Sequence, residues 1–89
     1  MKIEVTQEDI NKANELRSKS IWDHTFLYTK DCPVNQALKR ITGSKNVWSG
    51  GTSITINHQL YPTPPRVSWF MTEWDTGLDV EPFEFELGN

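Results

Sequence analysis

The stretch PPRVSWFMTEWDTGLDVEPFEFEL, residues 64–87, predicts a helix, a tight stop and a β-strand. Pro64 and Pro65 suit a cap or first-turn position, where a missing N–H costs nothing. Apolar residues then recur at helical spacing (Val67, Phe70, Met71, Trp74), which predicts a helix near 65–76 with one buried face. Gly77 can adopt the left-handed conformation that ends a helix. The alternation after Pro82 predicts a strand at 82–87 with one apolar and one acidic face.

The rest of the chain supplies two further helices and three further strands. Thr6 as N-cap, with Asp9 completing a capping box, predicts a helix over 7–17. Asp31 or Cys32 as cap, Pro33 in the first turn and Gly43 at the end predict a second helix over 33–42. Alternation predicts strands at 2–5, 46–48 and 53–57, with Gln59–Tyr61 extending the last hairpin beyond a bend at 57–58 until Pro62 halts pairing.

These elements predict a single α+β domain over residues 1–89, with a small mixed or antiparallel sheet of about four strands and three helices mostly on one face. The predicted core consists of the inward-facing apolar residues: Ile3, Val5, Ile10, Val34, Leu38, Ile41, Ile54, Ile56, Val67, Phe70, Trp74, Phe83 and Phe85.

Acidic side chains are concentrated at one end of the chain, although the net charge is only −3. Residues 1–45 carry eight basic and six acidic side chains. Residues 67–89 contain no Lys or Arg and hold the six carboxylates of Glu73, Asp75, Asp79, Glu81, Glu84 and Glu86. Such a field repels nucleic acid and attracts a basic protein surface. The simpler alternative is a solvated face that keeps an edge strand from aggregating.

Residues 18–31 are rich in aromatic and aliphatic side chains but fit neither the helical nor the strand period. The segment includes Trp22, Phe26 and Tyr28. Burial over the core is the simpler interpretation, because most large aromatics in small domains are buried. The alternative is an aromatic patch presented to a partner.

The order of four sequence blocks resembles that of a group of small uncharacterised proteins of phages and prophages. The blocks are IEVTQEDI at 3–10, CPVNQALKR at 32–40, PPRVSWF at 64–70 and WDTGLDVEPFEFEL at 74–87, which together cover about half of the chain. The resemblance implies a phage origin and the α+β layout, and it carries no activity to particular residues. In the family pattern the first block runs almost directly into Cys-Pro-Val, whereas residues 11–31 intervene here. We expect this aromatic insertion to be a place where a binding role was acquired.

No catalytic or cofactor signature stands out. Cys32 at a helix start could form a thiolate, but nothing in the sequence places His24 or His58 beside it as a base. A buried structural cysteine is the simpler interpretation. The spacings of Asp, His and Cys residues match no metal-ligand pattern. The SGGT turn at 49–52 lacks the lysine of a phosphate loop. We therefore predict a non-enzymatic protein without a cofactor.

The sequence leaves three hypotheses about function, of which the first is favoured. It is a phage-encoded protein that binds and inhibits a host protein or ribonucleoprotein complex, such as an anti-CRISPR protein or other inhibitor of a defence system. The inhibitor would act in the cytoplasm of the infected bacterium as a monomer or homodimer, with no membrane partner. It would bind through the six C-terminal carboxylates as a mimic of nucleic acid, through Trp22, Phe26 and Tyr28, or through both sets of residues. The alternatives are a nucleic-acid-binding phage accessory protein using Lys39, Arg40 and Lys45, and an enzyme using Cys32.

Overall fold

The computed structural model describes residues 1–23 and 31–88, without the side chains of 20–23. Its elements are β1 (Lys2–Val5), α1 (Gln7–Asp23), α2 (Pro33–Thr42), β2 (Val47–Ser49), β3 (Ser53–Ile56), β4 (Gln59–Pro62), α3 (Pro65–Asp75) and β5 (Phe83–Glu86). The α+β class is confirmed. No helix among the described residues combines the length and the apolar character needed to cross a bilayer.

The described strands form two antiparallel sheets rather than the single sheet that we expected. β1 and β5 make a two-stranded ribbon in which Ile3 lies opposite Phe85. β2, β3 and β4 form a meander. Its second turn is a two-residue bend at Asn57 and His58, both with positive φ, as a tight hairpin requires.

Helix α2 lies between the two sheets and contacts both of them, as well as α1. Its bounds agree with the prediction because both end signals operate: Pro33 occupies the first turn, and Gly43, with φ of 71°, donates its N–H to the Lys39 carbonyl. The buried run of this helix extends from Pro33 to Leu38. α2 is therefore the element around which the core is assembled.

Helix α1 runs beyond the predicted end at residue 17, because nothing in Ser18-Lys19-Ser20 breaks a helix and Lys19 pairs with Glu15 one turn earlier. The expected capping box is present. The Thr6 hydroxyl accepts from the Asp9 N–H at 3.2 Å, and Asp9 Oδ2 accepts from the Thr6 N–H at 2.9 Å.

The predicted core is mostly confirmed, with one error and one partial case. Ile41 is 38% exposed, because the last turn of α2 extends past the core that buries the turns before it. Phe83 is only partly buried. The core also contains Met71, which the helical spacing had placed on the buried face of α3, and five residues that the prediction omitted: Ala13, Cys32, Ala37, Val47 and Leu87.

Candidate protein-interaction site

Helix α3 buries one face and presents another to solvent. Val67, Phe70, Met71 and Trp74 face the core, as the periodicity predicted. Trp69 falls off that stripe and is 69% exposed. A Trp this exposed keeps a large apolar surface in water, where a binding partner could cover it.

A groove of about 390 Å³ runs between α3 and the segment that leads into β5. We call it the α3 groove. Its floor is aromatic, since the rings of Phe70 and Phe83 lie 4.5 Å apart. The Arg66 guanidinium lies 5.1 Å from the centre of the Phe83 ring. The residues that line it are Arg66, Trp69, Phe70, Glu73, Asp79, Val80, Glu81, Pro82 and Phe83.

Three of the six predicted acidic binding residues meet at this groove. Glu73 comes from α3, whereas Asp79 and Glu81 come from the segment that folds back along it. We call these three carboxylates the acidic rim. Among the described residues that line the groove, Arg66 is the one cation, so the rim has an excess of negative charge beside Trp69. A groove with this lining suits a partner surface that offers Lys or Arg around an apolar cleft.

Two other predicted residues, Glu84 and Glu86, lie on the outer face of the β1–β5 ribbon rather than in the groove. Lys2 Nζ lies 3.0 Å from Glu84 Oε2, and the amino nitrogen of Met1 lies 3.6 Å from Glu86 Oε2. The hydrogen bond and charge of Glu84 raise the pKa of Lys2. These carboxylates are thus partly compensated on the side of β1.

The sixth acidic residue, Asp75, is separate from both groups. It ends α3 and lines a small cavity of about 130 Å³ together with Cys32 and Ser49. Partial burial raises the pKa of the Asp75 carboxyl, and the charge of Arg17 opposes that rise. The predicted single acidic face is therefore divided into three places.

The predicted aromatic residues Phe26 and Tyr28, and the side chain of Trp22, lie outside the described residues. The sequence did contain a signal for a different aromatic, because Trp69 is a large side chain off the buried stripe of a helix whose stripe was recognised. Arg66 and Trp69 line the groove but were not among the predicted binding residues.

The Cys32 thiol has the surroundings of a structural cysteine. It is buried, and its Sγ lies 3.1 Å from Ser49 Oγ. Burial raises its pKa, which outweighs the opposing effect of the bond to Ser49 and keeps the thiol neutral. His58 lies on the β3–β4 turn, and its ring is hydrogen-bonded to Asn46, which precedes the start of β2. Cys32 contacts Ser49, at the other end of β2, so the two side chains lie at opposite ends of that strand. Within residues 1–23 and 31–88, no cluster of three potential ligands is placed to hold a metal ion.

Two of the three basic residues of the nucleic-acid alternative, Lys39 and Arg40, are engaged within the protein. Arg40 donates to Asp9 Oδ2 at 2.9 Å and to the Glu4 carbonyl at 2.7 Å. Lys39 Nζ lies 4.0 Å from Asp31. These pairings reduce the positive charge that this face offers to phosphates.

Comparison with known proteins adds no relative: no protein-family model matches the chain, and neither do the curated proteins or the solved structures that were searched. Any functional assignment therefore depends on the geometry of the α3 groove and on the sequence blocks described above.

Proposed function

We propose that this protein is a phage-encoded inhibitor that binds a host bacterial complex, of the anti-CRISPR type, and that it binds through the α3 groove. The observation that carries the proposal is the exposed Trp69 beside the acidic rim of Glu73, Asp79 and Glu81. Interfaces obtain most of their binding energy from a few aromatic and Arg anchors surrounded by groups that set specificity.

The surface chemistry favours a partner that normally holds nucleic acid. Carboxylates spaced around an aromatic cleft place negative charge and a stacking surface side by side, and a nucleic-acid channel with Lys and Arg side chains is complementary to both. The resemblance of the sequence blocks to phage proteins supports a host target. An inhibitor of this kind needs a binding surface and no catalytic group.

The binding test is a pull-down from lysate of bacteria that carry an active CRISPR system, with Trp69→Ala compared with the unchanged protein. We expect a stoichiometric subunit of the defence complex to be retained by the unchanged protein and lost with Trp69→Ala. Leu60→Ala is the matched control, because Leu60 is also 69% exposed but lies on β4, outside the groove. The combined substitutions Glu73→Gln, Asp79→Asn and Glu81→Gln remove the charge of the acidic rim and should weaken binding and reduce its salt dependence.

The functional test is plaque formation by a targeted phage on the same bacteria. Expression of the unchanged protein should restore plaques, and expression of Trp69→Ala should not. Equal plaque numbers with the two proteins, at equal protein levels, would refute the role of the groove.

A further inference from the structure

The hydrogen-bond register of the β1–β5 ribbon determines which main-chain groups of β5 point away from β1. The main chains of Met1 and Leu87 exchange two hydrogen bonds, at 2.7 Å and 2.8 Å. Bonded and non-bonded pairs alternate in an antiparallel ladder, so Ile3 with Phe85 and Val5 with Phe83 are also bonded pairs. The N–H and C=O groups of Glu84 and Glu86 therefore point outward, along the far edge of β5.

Helix α2 covers two of the four outer edges that the described sheets possess. At the edge of β1, Arg40 Nη2 donates to the outward-facing Glu4 carbonyl at 2.7 Å. At the edge of β2, Asn35 Nδ2 donates to the Val47 carbonyl at 3.2 Å. The edges of β4 and β5 receive no such bond from the described residues. Uncovered edges are templates for pairing with another chain.

The two uncovered edges are not equivalent. In β4 the hydrogen bond from the Thr63 N–H to the Thr52 carbonyl fixes which residues bond to β3. The main-chain groups of Leu60 and Pro62 therefore point away from β3, and Pro62 has no N–H to donate. β4 thus offers one outward donor. β5 offers two, from Glu84 and Glu86, at the spacing of alternate residues in an added strand.

Charge decides what can pair with β5. The side chains of Glu84 and Glu86 share the outer face of the ribbon with Glu4, which lies directly opposite Glu84. Lys2 and the amino group of Met1 pair with the two β5 carboxylates from the side of β1, away from the outer edge. A second copy of β5 would bring like charges into cross-strand contact, which destabilises pairing. A strand with Lys or Arg at alternate positions would instead place cations opposite both carboxylates. Its intervening residues would face the side of Phe83, where the α3 groove begins.

We propose that the outer edge of β5 binds an extended segment of the partner protein as a third strand, with Lys or Arg at two alternate positions opposite Glu84 and Glu86 and an apolar residue between them. The proposal rests on the proposed function for the existence of a protein partner, and it specifies how that partner is recognised. Main-chain bonds supply affinity and the alternating side chains supply specificity, as in other cases of strand addition.

The test uses an acetylated and amidated peptide of alternating lysine and valine, titrated into the isotope-labelled protein and followed by NMR. We expect the amide signals of Glu84 and Glu86 to shift. Methylating the main-chain nitrogens of the two central lysines, which face β5, should weaken binding about tenfold or more, because two hydrogen bonds are lost. Methylating the valine nitrogens, which face away, should leave the affinity within about twofold. Equal weakening by the two methylations would overturn the proposal, as would shifts confined to other residues.

Protein variants provide the reciprocal test. Glu84→Pro removes an outward N–H, together with the carboxylate that pairs with Lys2 and would face a peptide lysine, and it leaves the main-chain bonds to β1 intact. We expect it to weaken binding of the unmethylated peptide about three- to tenfold. Leu60→Pro is the matched control on the β4 edge and should have no effect. If Glu84→Pro unfolds, the methylated peptides still decide the question on the unchanged protein. If a partner binds in a Trp69-dependent way but the peptide does not pair with β5, the proposed function stands and strand addition is refuted. If the peptide pairs with β5 but no partner depends on Trp69, strand addition stands and the proposed function is refuted.

Discussion

Asn35 should be among the most sensitive polar residues of the protein, because it closes the edge of β2 from inside the core. Its side chain is fully buried. Its amide nitrogen donates to the Val47 carbonyl at 3.2 Å, and its Oδ1 accepts from the Ser49 hydroxyl at 3.1 Å. Asn35→Ala removes both bonds and leaves two buried polar groups to find other partners.

The magnitude follows from those two groups. A buried donor or acceptor left unsatisfied costs about 1–3 kcal/mol. The Ser49 hydroxyl keeps its contact with Cys32 Sγ at 3.1 Å, so its share lies at the low end of that range. We therefore expect Asn35→Ala to lower the free energy of unfolding by about 2–4 kcal/mol, a large part of the ~5–15 kcal/mol typical of a domain.

Equilibrium unfolding in urea, followed by tryptophan fluorescence, measures this loss. Asn11→Ala is the control, since Asn11 is an exposed asparagine on α1 that bonds only Gln7 among the described residues, and it should cost less than about 0.5 kcal/mol. Asn35→Asp should become less stable relative to the unchanged protein as the pH rises above about 4, because burial raises the pKa of a carboxyl and penalises its ionised form. A loss below about 1 kcal/mol for Asn35→Ala, with an unchanged slope against urea, would refute the reasoning.

Three further predictions test the core and its charges. Burial disfavours ionisation of Asp9, but bonds from Arg40 and Thr6 prevail and hold its pKa below the usual value, so its stabilisation is present above about pH 4 and is lost as the pH falls through the folded pKa. Asp9→Asn should accordingly flatten the acid limb of the stability curve, and parallel curves would contradict this. Cys32, buried and with a raised pKa, should react with a thiol reagent at pH 8 only after urea is added; fast labelling of the native protein would be incompatible with its placement. Phe70→Ala should cost about 3–5 kcal/mol in the same urea assay, and a cost below about 1 kcal/mol would contradict the packing of Phe70 on Phe83.

The sequence predicted those elements whose ends carry strong local signals. Pro33 and Gly43 set the bounds of α2, and Pro65 sets the start of α3. Strand pairing was harder to predict, because alternation of apolar and polar residues identifies a strand but not the strand that it pairs with. Helix α2 contacts both sheets, and its Asn35 and Arg40 side chains bond strand edges through contacts between residues 12 and 36 positions apart, which local patterns do not reveal.

The candidate site was predicted in part for a similar reason. The charge count drew attention to the carboxylates, but it could not show that Glu73 and Glu81 share a groove while Asp75, two residues after Glu73, faces Cys32. That division arises from the helical period, which turns neighbouring residues of α3 in different directions. The same period could have identified Trp69, since it lies off the buried stripe of Val67, Phe70 and Trp74.

The pairing of β1 with β5 has a kinetic consequence. Its strands are roughly 80 residues apart in sequence, whereas neighbouring strands of the meander are separated by a few residues, and closing the longer loop costs about 2.5 kcal/mol more in chain entropy. We therefore expect the meander to form early and the ribbon to form only after α1, α2 and α3 have brought its two strands together. By the same reasoning, we expect the ribbon to open first when the protein unfolds. A partner strand added to β5 would stabilise the element that forms last, so binding should slow unfolding more than it accelerates folding.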